Sequence, residues 1–470
     1  MAPVTETAVR RLAPGQETLW HFMRALSPHD PGDSRVTVLD VRELTGDLDA
    51  GRLRDAAAVL TQRHQSLRLA FDGFGPDPEL RLTGATAVPL TRIDLTGAAG
   101  RPDELRRLVR LERVRSFDLC SGPLWHLGLI RTAPDRHTLT LSLSHVIADQ
   151  WAADLFVEDL LRVYSATPAE AARLAEPAVT LDEITALHRA VLPGGENRLR
   201  YWRENLTPLP DRSILPALDA SPEVDLGDEG SRSFTFGVAV AGDLPRLAWR
   251  ARTTPFVALL AAYQLTLALR TGLDRIVLGT TTLGRDAPAA REALSQFTNN
   301  VYLNLPLDPA MRLVDVVAAA GRAMSDAVGN VASFGQIRRA VGPGTPSSFL
   351  ELYHGWFQSW GVPRPDPSVP GLLVRRSGNE ADGPAARAPK TEATHPGTRA
   401  AHLKAGTPHV MVAPDRGGGR CIYHPGFFAT ETVDQLIEDY VHVVAAVVHA
   451  PELRAGELRL PSRPTAKETR

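Results

Sequence analysis

Two titratable side chains in the run Leu-Ser-Leu-Ser-His-Val-Ile-Ala-Asp-Gln-Trp, residues 141–151, could do chemistry together. His145 ends a segment of alternating apolar and polar residues, and Asp149 follows four residues later, just before a segment with helical periodicity. An imidazole accepts protons near neutral pH, which makes His145 a candidate general base. The alternative is a buried histidine whose ring is satisfied by a backbone carbonyl.

Asp149 has two compatible interpretations. An aspartate directly before a helix is a favoured N-cap, and a buried carboxylate also needs a cationic partner. Arg68 and Arg285 are the candidate partners, and ordinary surface solvation is the alternative for both. Asn299 could hydrogen-bond in a cleft, or it could be an amide at a strand edge.

The elements that must position these side chains follow from periodicity. The alternation over His137–His145 predicts a half-buried strand, with His145 on the inward leucine face and Ser144 on the polar face. Apolar residues at helical spacing over 151–164 predict a helix directly after Asp149. The imidazole and the carboxylate therefore belong to one strand–loop–helix unit.

The rest of the chain also reads as alternating helices and strands. Thr254 is predicted to cap a helix that has Pro255 at its first position and ends at Gly272. Helices are further predicted near 51–63, 103–116, 181–192, 196–206 and 430–449, and strands near 123–131, 275–280, 296–305 and 420–423. Residues 378–398 contain few large apolar side chains and indicate an exposed or mobile excursion, or a crossover between lobes.

Composition excludes several classes of protein. The chain has 470 residues, 43% hydrophobic and 23% charged, with a net charge of −2, so there is no basic footprint for nucleic acid or a membrane surface. Cys120 and Cys421 form neither a disulfide framework nor a metal cluster. No apolar run reaches membrane-spanning length and no signal peptide is evident, so a cytoplasmic protein that binds no metal is expected.

Segments spread over nearly the whole chain resemble the condensation domains of nonribosomal peptide synthetases, in the family's order. Gln16 and Trp20 match the family's opening motif, and Arg63–Phe71 matches Arg-His-x-x-Leu-Arg-x-x-Phe. Ser144–Gln150 stands where the family has His-His-x-x-x-Asp-Gly. Two further segments are similar to Gly-Thr-x-x-x-Gly-Arg and Phe-Val-Asn: Gly279–Arg285 and Phe297–Asn299.

This resemblance implies an α/β (α+β) fold of two chloramphenicol-acetyltransferase-like lobes, arranged as a V around a central tunnel. We assign the lobes to residues 1–180 and 181–470, the second including the crossover segment. His145 then lies in the tunnel and positions or deprotonates the acceptor. The resemblance implies that Asp149 pairs with Arg285 in a supporting role, and Arg68 is a further supporting candidate. The candidates for the tunnel lining are Ser144, Gln150, Trp151 and Asn299.

Two departures from the family motif bear on activity. Ser144 replaces the first histidine, and by strand parity its side chain faces away from His145. Gln150 replaces a glycine, and its side chain either narrows the donor tunnel or adds an amide near a developing oxyanion.

The resemblance implies a condensation enzyme of natural-product biosynthesis, nonribosomal or hybrid. It would transfer an acyl or aminoacyl group from a carrier-protein thioester to a small amine or alcohol, forming an amide or ester. The phosphopantetheine arm would come from the acyl or peptidyl carrier protein, and no cofactor would be bound. Because these 470 residues contain no adenylation or carrier motif, we expect a stand-alone protein. The family resemblance implies a monomer. The alternatives are a catalytically silent recruitment module and a coenzyme-A-dependent acyltransferase.

Overall fold

The computed structural model describes residues 12–26, 36–75, 78–84, 87–177, 179–190, 195–209, 230–342, 352–359, 364–377, 408–423, 425 and 427–462. The predicted excursion at 378–398 lies outside these residues. The α-helices are α1 (Pro14–Leu26), α2 (Ala50–Arg63), α3 (Arg101–Arg113), α4 (Gln150–Ser165), α5 (Pro168–Leu174), α6 (Leu181–Ala190), α7 (Gly195–Leu206), α8 (Val238–Arg250), α9 (Pro255–Thr271), α10 (Pro288–Glu292), α11 (Leu313–Gly329), α12 (Phe334–Val341) and α13 (Thr430–His449).

The strands lie in two larger sheets and one two-stranded sheet. They are β1 (Thr37–Gly46), β2 (Leu69–Asp72), β3 (Glu79–Leu82), β4 (Leu90–Asp94), β5 (Trp125–Ala133), β6 (Arg136–Ser144), β7 (Gly230–Thr235), β8 (Arg275–Thr282), β9 (Asn299–Pro306), β10 (Gly355–Ser359), β11 (Leu372–Arg376), β12 (His409–Ala413) and β13 (Gly418–Tyr423).

The chain divides into two compact units that are interleaved in sequence. The first comprises Met1–Pro193, Leu283–Asn299 and Pro363–Ala386, and the second comprises Gly194–Thr282, Asn300–Val362 and Arg387–Arg470. The predicted division places one boundary at residue 180. The first unit also includes the later segments Leu283–Asn299 and Pro363–Ala386, which that division assigns to the second lobe. As a description of the family's two lobes, that division stays a prediction.

The first unit is built on a sheet with the strand order β11-β1-β6-β5-β4. The β4–β5 pair is parallel and the other pairs are antiparallel. Helix α4 packs on β1 and α2, and α3 lies against β1 and β6. Leu139, Leu141 and Leu143 of β6 join the core formed with α2 and α4.

The prediction that β6 is half-buried is wrong, because both of its faces are covered. Thr140, Ser142 and Ser144, on the polar face, are each 0% exposed. Ser142 Oγ donates to Glu112 Oε2 of α3 at 2.7 Å, so the covering helix satisfies this buried hydroxyl. Alternation of polar and apolar residues indicated the two faces, but the helix over the polar face comes from elsewhere in the chain.

The second unit contains a sheet with the order β7-β13-β12-β10-β8-β9. Its central helix, α9, begins as predicted, with Thr254 Oγ1 accepting from the Val257 backbone N–H at 3.3 Å. The helix ends at Gly272, which has the left-handed backbone that favours glycine. Gln264 is fully buried in α9, and its amide donates to the carbonyls of Ile276 and Leu303.

Most helices and strands predicted from periodicity are present within a few residues of the expected bounds, and α13 coincides with its prediction. The strand predicted at 296–305 instead begins at Asn299, and the Phe297 backbone N–H donates to the Asp149 carboxylate. None of the described helices has both the length and the apolar character needed to cross a membrane.

Candidate active site

His145 begins the loop that connects β6 to α4. The strand ends at Ser144, and the His145 backbone N–H donates to the Val36 carbonyl at 2.8 Å. The imidazole is half-buried, and its Nδ1 lies 2.9 Å from the Ala148 carbonyl oxygen. The loop therefore curls back so that one of its own carbonyls holds the ring.

This contact determines the tautomer of the neutral ring. A carbonyl oxygen can only accept a hydrogen bond, so Nδ1 must carry the proton. Nε2 is then left with a lone pair, and it makes no hydrogen bond within the described part of the chain. A half-buried imidazole with a bare Nε2 is equipped to accept a proton from a bound molecule.

Strand parity placed His145 on the inward face and Ser144 on the polar face, but the structure buries Ser144 more deeply than His145. Ser144 is 0% exposed, and its Oγ has no hydrogen-bond partner among the described residues, whereas the His145 ring is the partly exposed one. The strand ends between the two residues, so its alternation no longer governs His145.

Asp149 fixes the other end of the loop through both carboxylate oxygens. Oδ1 caps α4 by accepting from the Ala152 backbone N–H at 2.9 Å, and it also accepts from Arg285 Nη2 at 2.8 Å. Oδ2 accepts from the Phe297 backbone N–H at 2.9 Å and from the Thr298 hydroxyl at 3.4 Å. The N-cap and the ion pair therefore coexist.

Arg285 is enclosed by acceptors. Its side chain is 0% exposed, and it donates to the carbonyls of Ala290, Ala293 and Ser295 as well as to Asp149. Burial lowers the pKa of Arg285, while the charge of Asp149 and the hydrogen bond to it act in the opposite direction. Since a buried guanidinium is costly without partners, this set of acceptors accounts for its place in the core.

An aromatic stack completes the support on the side of Phe297. The Arg285 guanidinium lies 4.6 Å from the centre of the Phe297 ring, and His188 stacks on the same ring with centroids 4.3 Å apart. His188 is buried, and its pKa is lowered to about 4, first by desolvation and then by the charge of Arg285. Nothing in the local sequence marked His188 for this position.

Gln16 anchors the middle of the loop, a role that sequence reasoning did not assign. Its Nε2 donates to the Val146 carbonyl at 2.9 Å, and its Oε1 accepts from the Ala13 backbone N–H at 3.1 Å. The side chain is only 4% exposed. The signal that could have identified Gln16 was its match to the family's opening motif. A buried amide also needs specific hydrogen-bond partners, and here Gln16 has two.

Gln150 and Trp151 start α4, and their side chains have partners within the first unit. Gln150 is exposed, and its Nε2 donates to Asp154 Oδ1 at 3.2 Å. The Trp151 indole N–H donates to the Arg291 carbonyl at 2.9 Å, and its ring lies 5.0 Å from the Arg364 guanidinium. Their assignment to a substrate tunnel stays a prediction.

Arg68 and Asn299 lie in different surroundings. Arg68 makes no ion pair with Asp149, and its Nε is buried with no hydrogen-bond partner among the described residues. Asn299 is 6% exposed, and its Nδ2 donates to the Phe297 carbonyl at 2.8 Å. Asn299 thus holds the same segment that binds Asp149, and the supporting role of Arg68 stays a prediction.

Comparison with known proteins decides the family. A family model described as Condensation domain matches residues 11–342. The chain belongs to the condensation-domain family. The matched residues include the His145 loop and the residues that hold it, from Gln16 through Asn299.

Curated relatives of this condensation-domain protein are peptide synthetases. It is 30% identical over 304 residues to phosphinothricin tripeptide synthetase PhsB of Streptomyces viridochromogenes, a match that covers 64% of this chain and 25% of that protein. It is 24% identical over 378 residues to malpinin synthetase of Mortierella alpina, covering 80% of this chain and 5% of that protein. The chain thus spans a small part of the length of these relatives.

Solved structures confirm the predicted α+β fold. The X-domain from teicoplanin biosynthesis matches with a TM-score of 0.76 at 19% identity, covering 97% of this chain and 99% of that one. The first condensation domain of the calcium-dependent antibiotic synthetase matches with a TM-score of 0.68, also at 19% identity and with coverages of 97% and 99%. At these identities the likeness shows the fold alone.

Proposed function

We propose that the protein catalyses condensation, transferring an acyl or aminoacyl group from a carrier-protein thioester to an amine, or to a hydroxyl. The observation that carries this proposal is the His145 ring, half-buried and held through Nδ1 so that Nε2 is bare. The loop that holds the ring is fixed by Asp149 and Gln16. Such a preorganised base suits proton transfer without a metal ion.

The proposed reaction needs only one side chain, His145, to take up a proton and release it again. As the acceptor nitrogen attacks the thioester carbonyl carbon, Nε2 of His145 takes one proton from it. When the carbon–sulfur bond breaks, that proton goes to the leaving sulfur, giving an amide and a free thiol. With a hydroxyl acceptor the same transfer gives an ester.

Membership of the condensation-domain family supports the choice of donor. In this proposal the thioester is carried on the phosphopantetheine arm of an acyl or peptidyl carrier protein. The V-shaped arrangement of two lobes around a tunnel, and action as a stand-alone enzyme, belong to the same proposal.

Mass spectrometry of reaction products tests the proposal. The purified protein is incubated with acyl-loaded carrier proteins or with acyl-coenzyme A, together with a mixture of amines and alcohols, and His145→Ala is run in parallel. We expect a new amide or ester from carrier-bound donors only, and its loss in the variant. Equal product with both proteins, or none with a folded wild type and verified donors, would contradict the proposal. Turnover with acyl-coenzyme A alone would favour a coenzyme-A-dependent acyltransferase.

A catalytically silent recruitment module is the second candidate, and the altered motif favours it. Ser144 and Gln150 replace residues of the family motif, and the side chain of Gln150 is tied to Asp154. One structural neighbour, an X-domain from teicoplanin biosynthesis, was solved in complex with OxyB, which motivates a similar partner here.

Gln150→Gly distinguishes the two candidates. The residue is exposed at the first position of α4, so the variant should fold normally. Product that forms with Gln150→Gly but not with the wild type would show that the glutamine silences the natural protein. Product from the wild type that survives in the variant supports condensation.

A further inference from the structure

A groove on the second unit is lined by four arginines. It lies between the C-terminal end of α8 and the face of α11, and its volume is about 550 Å³. The charged lining residues are Arg250, Arg252, Arg312, Arg322 and Asp315. The groove residues belong to the second unit and His145 to the first, and the proposed reaction assigns the groove no role.

The carboxylates at this groove do not balance its positive charge. Arg312 donates to Asp315 at 2.7 Å and to Glu452 at 2.9 Å, and Glu452 also pairs with Arg250. The side chains of Arg252 and Arg322 are exposed and make no hydrogen bond or ion pair with the part of the chain that the structure describes. Four guanidinium groups therefore face two carboxylates, which leaves a surplus of two positive charges.

The backbone at Arg252 adds an independent observation. Arg252 has a φ of +55°, the left-handed conformation in which helices usually end with glycine. Its backbone N–H donates to the Trp249 carbonyl at 3.0 Å, and the next N–H, of Thr253, donates to the Ala248 carbonyl at 2.9 Å, which closes α8. Glycine would serve this turn without strain, so the arginine side chain is present at a cost to the backbone.

We propose that this groove binds a phosphate monoester or a pyrophosphate, groups that carry two or more negative charges at neutral pH. The planar fork of a guanidinium matches the oxygens of a phosphate in bidentate hydrogen bonds. A phosphate monoester carries close to two negative charges at neutral pH, which matches the surplus. Arg252 and Arg322 bind the group directly, and Arg312, held by Asp315 and Glu452, forms the wall behind them. This site does not depend on the proposed condensation activity.

Isothermal titration calorimetry of the full chain in about 0.15 M salt tests the site, since that salt screens weak surface attraction. Inorganic pyrophosphate and coenzyme A are the two probes, and succinate is a dianion of different geometry. We expect saturable binding of pyrophosphate to one site, and little binding of succinate. Competition by coenzyme A would identify phosphate esters as ligands, whereas binding of pyrophosphate alone would identify a small free phosphate.

Two variants and a matched control locate the binding. Arg252→Gly and Arg322→Gln should each weaken pyrophosphate binding about tenfold, the effect expected on losing a bidentate charged contact. Arg246 lies on α8 and its side chain is 86% exposed, so Arg246→Gln should leave binding unchanged. Because glycine relieves the backbone strain, Arg252→Gly should unfold in urea at the same or a higher concentration than the wild type.

Three results would overturn the proposal. They are no saturable heat with pyrophosphate, succinate binding as tightly as pyrophosphate, and wild-type affinity in both Arg252→Gly and Arg322→Gln. An equal loss of affinity in Arg246→Gln would also overturn it, because general surface charge would then account for the binding.

Discussion

Buried aspartate–arginine pairs lie in both units, and a comparison of one pair from each unit shows a difference in what the pairs hold. In the first unit, Arg285 and Asp149 are 0% and 3% exposed and lie 2.8 Å apart. In the second unit, Arg270 and Asp439 are 11% and 0% exposed, and their ion pair links α9 to α13. Burial and charge pairing are therefore nearly the same in both places.

The neighbours of the two carboxylates account for the difference in role. Asp439 otherwise accepts from the backbone and hydroxyl of Ser462, so its bonds join helices to a following segment. Asp149 closes a loop whose first residue is a half-buried imidazole. A buried ion pair thus marks a candidate site only where it positions a group that can reach a bound molecule.

The largest expected effect follows from breaking the pair in the first unit. Asp149→Ala removes the N-cap, the partner of Arg285 and the acceptor for the Phe297 N–H, so it should lower the free energy of unfolding by about 4 kcal/mol. Urea denaturation measures this, and Asp149→Asn keeps the shape if the alanine variant does not fold. A loss below about 1 kcal/mol would show that Arg285 does not depend on this carboxylate.

Breaking the pair in the second unit should be nearly as costly but should leave the reaction intact. Asp439→Ala removes the carboxylate that pairs with the partly accessible Arg270, which keeps its hydrogen bond to the Ser462 hydroxyl, so we expect a loss of about 3 kcal/mol. Product formation per folded molecule, with the folded fraction taken from circular dichroism, should equal that of the wild type. A drop similar to that of Asp149→Asn would show that the two pairs do not differ in role.

The His188–Phe297 stack predicts an acid-sensitive first unit. The pKa of His188 is lowered to about 4 in the folded state from its ordinary value of 6.5, so the unfolded chain binds this proton more tightly. The stability due to the neutral ring is complete above about pH 6.5 and is lost as the pH falls toward 4, by about 3 kcal/mol in total.

His188→Phe tests that origin, because it retains a ring to stack on Phe297 and cannot be protonated. Urea denaturation at about pH 7.5 and about pH 5 should show a smaller loss of stability for the variant than for the wild type. Equal losses in both proteins would assign the acid sensitivity to other groups.

A smaller effect is expected at Gln16. Gln16→Ala leaves the Val146 carbonyl without its donor and should cost about 1–2 kcal/mol. Since that carbonyl belongs to the His145 loop, product formation per folded molecule should also fall. Thr61→Ala is the control, because the buried Thr61 Oγ1 donates to the Ala57 carbonyl within α2. Wild-type activity in Gln16→Ala would show that the loop does not need this anchor.

Much of the local structure could be predicted from the sequence because its signals are local. Thr254, Pro255 and Gly272 delimit α9 through capping preferences that act within one turn. Likewise the spacing of His145 and Asp149 indicated the loop before α4, together with the N-cap.

Other features depend on residues far apart in sequence. The helix that buries the polar face of β6, and the addition of β11 to the edge of β1, come from segments whose positions periodicity does not encode. The pattern of residues alone left both Arg68 and Arg285 open as partners of Asp149. The family resemblance favoured Arg285, and the structure places Arg285 against the carboxylate.

The tautomer of His145 tests the central claim most directly. Long-range proton–nitrogen correlation spectra of protein with ¹⁵N-labelled histidines, assigned with His145→Gln, report which ring nitrogen carries the proton. For the neutral ring we predict a proton on Nδ1 and a bare Nε2. A proton on Nε2 would contradict the account, because that nitrogen could not then accept a proton from the acceptor.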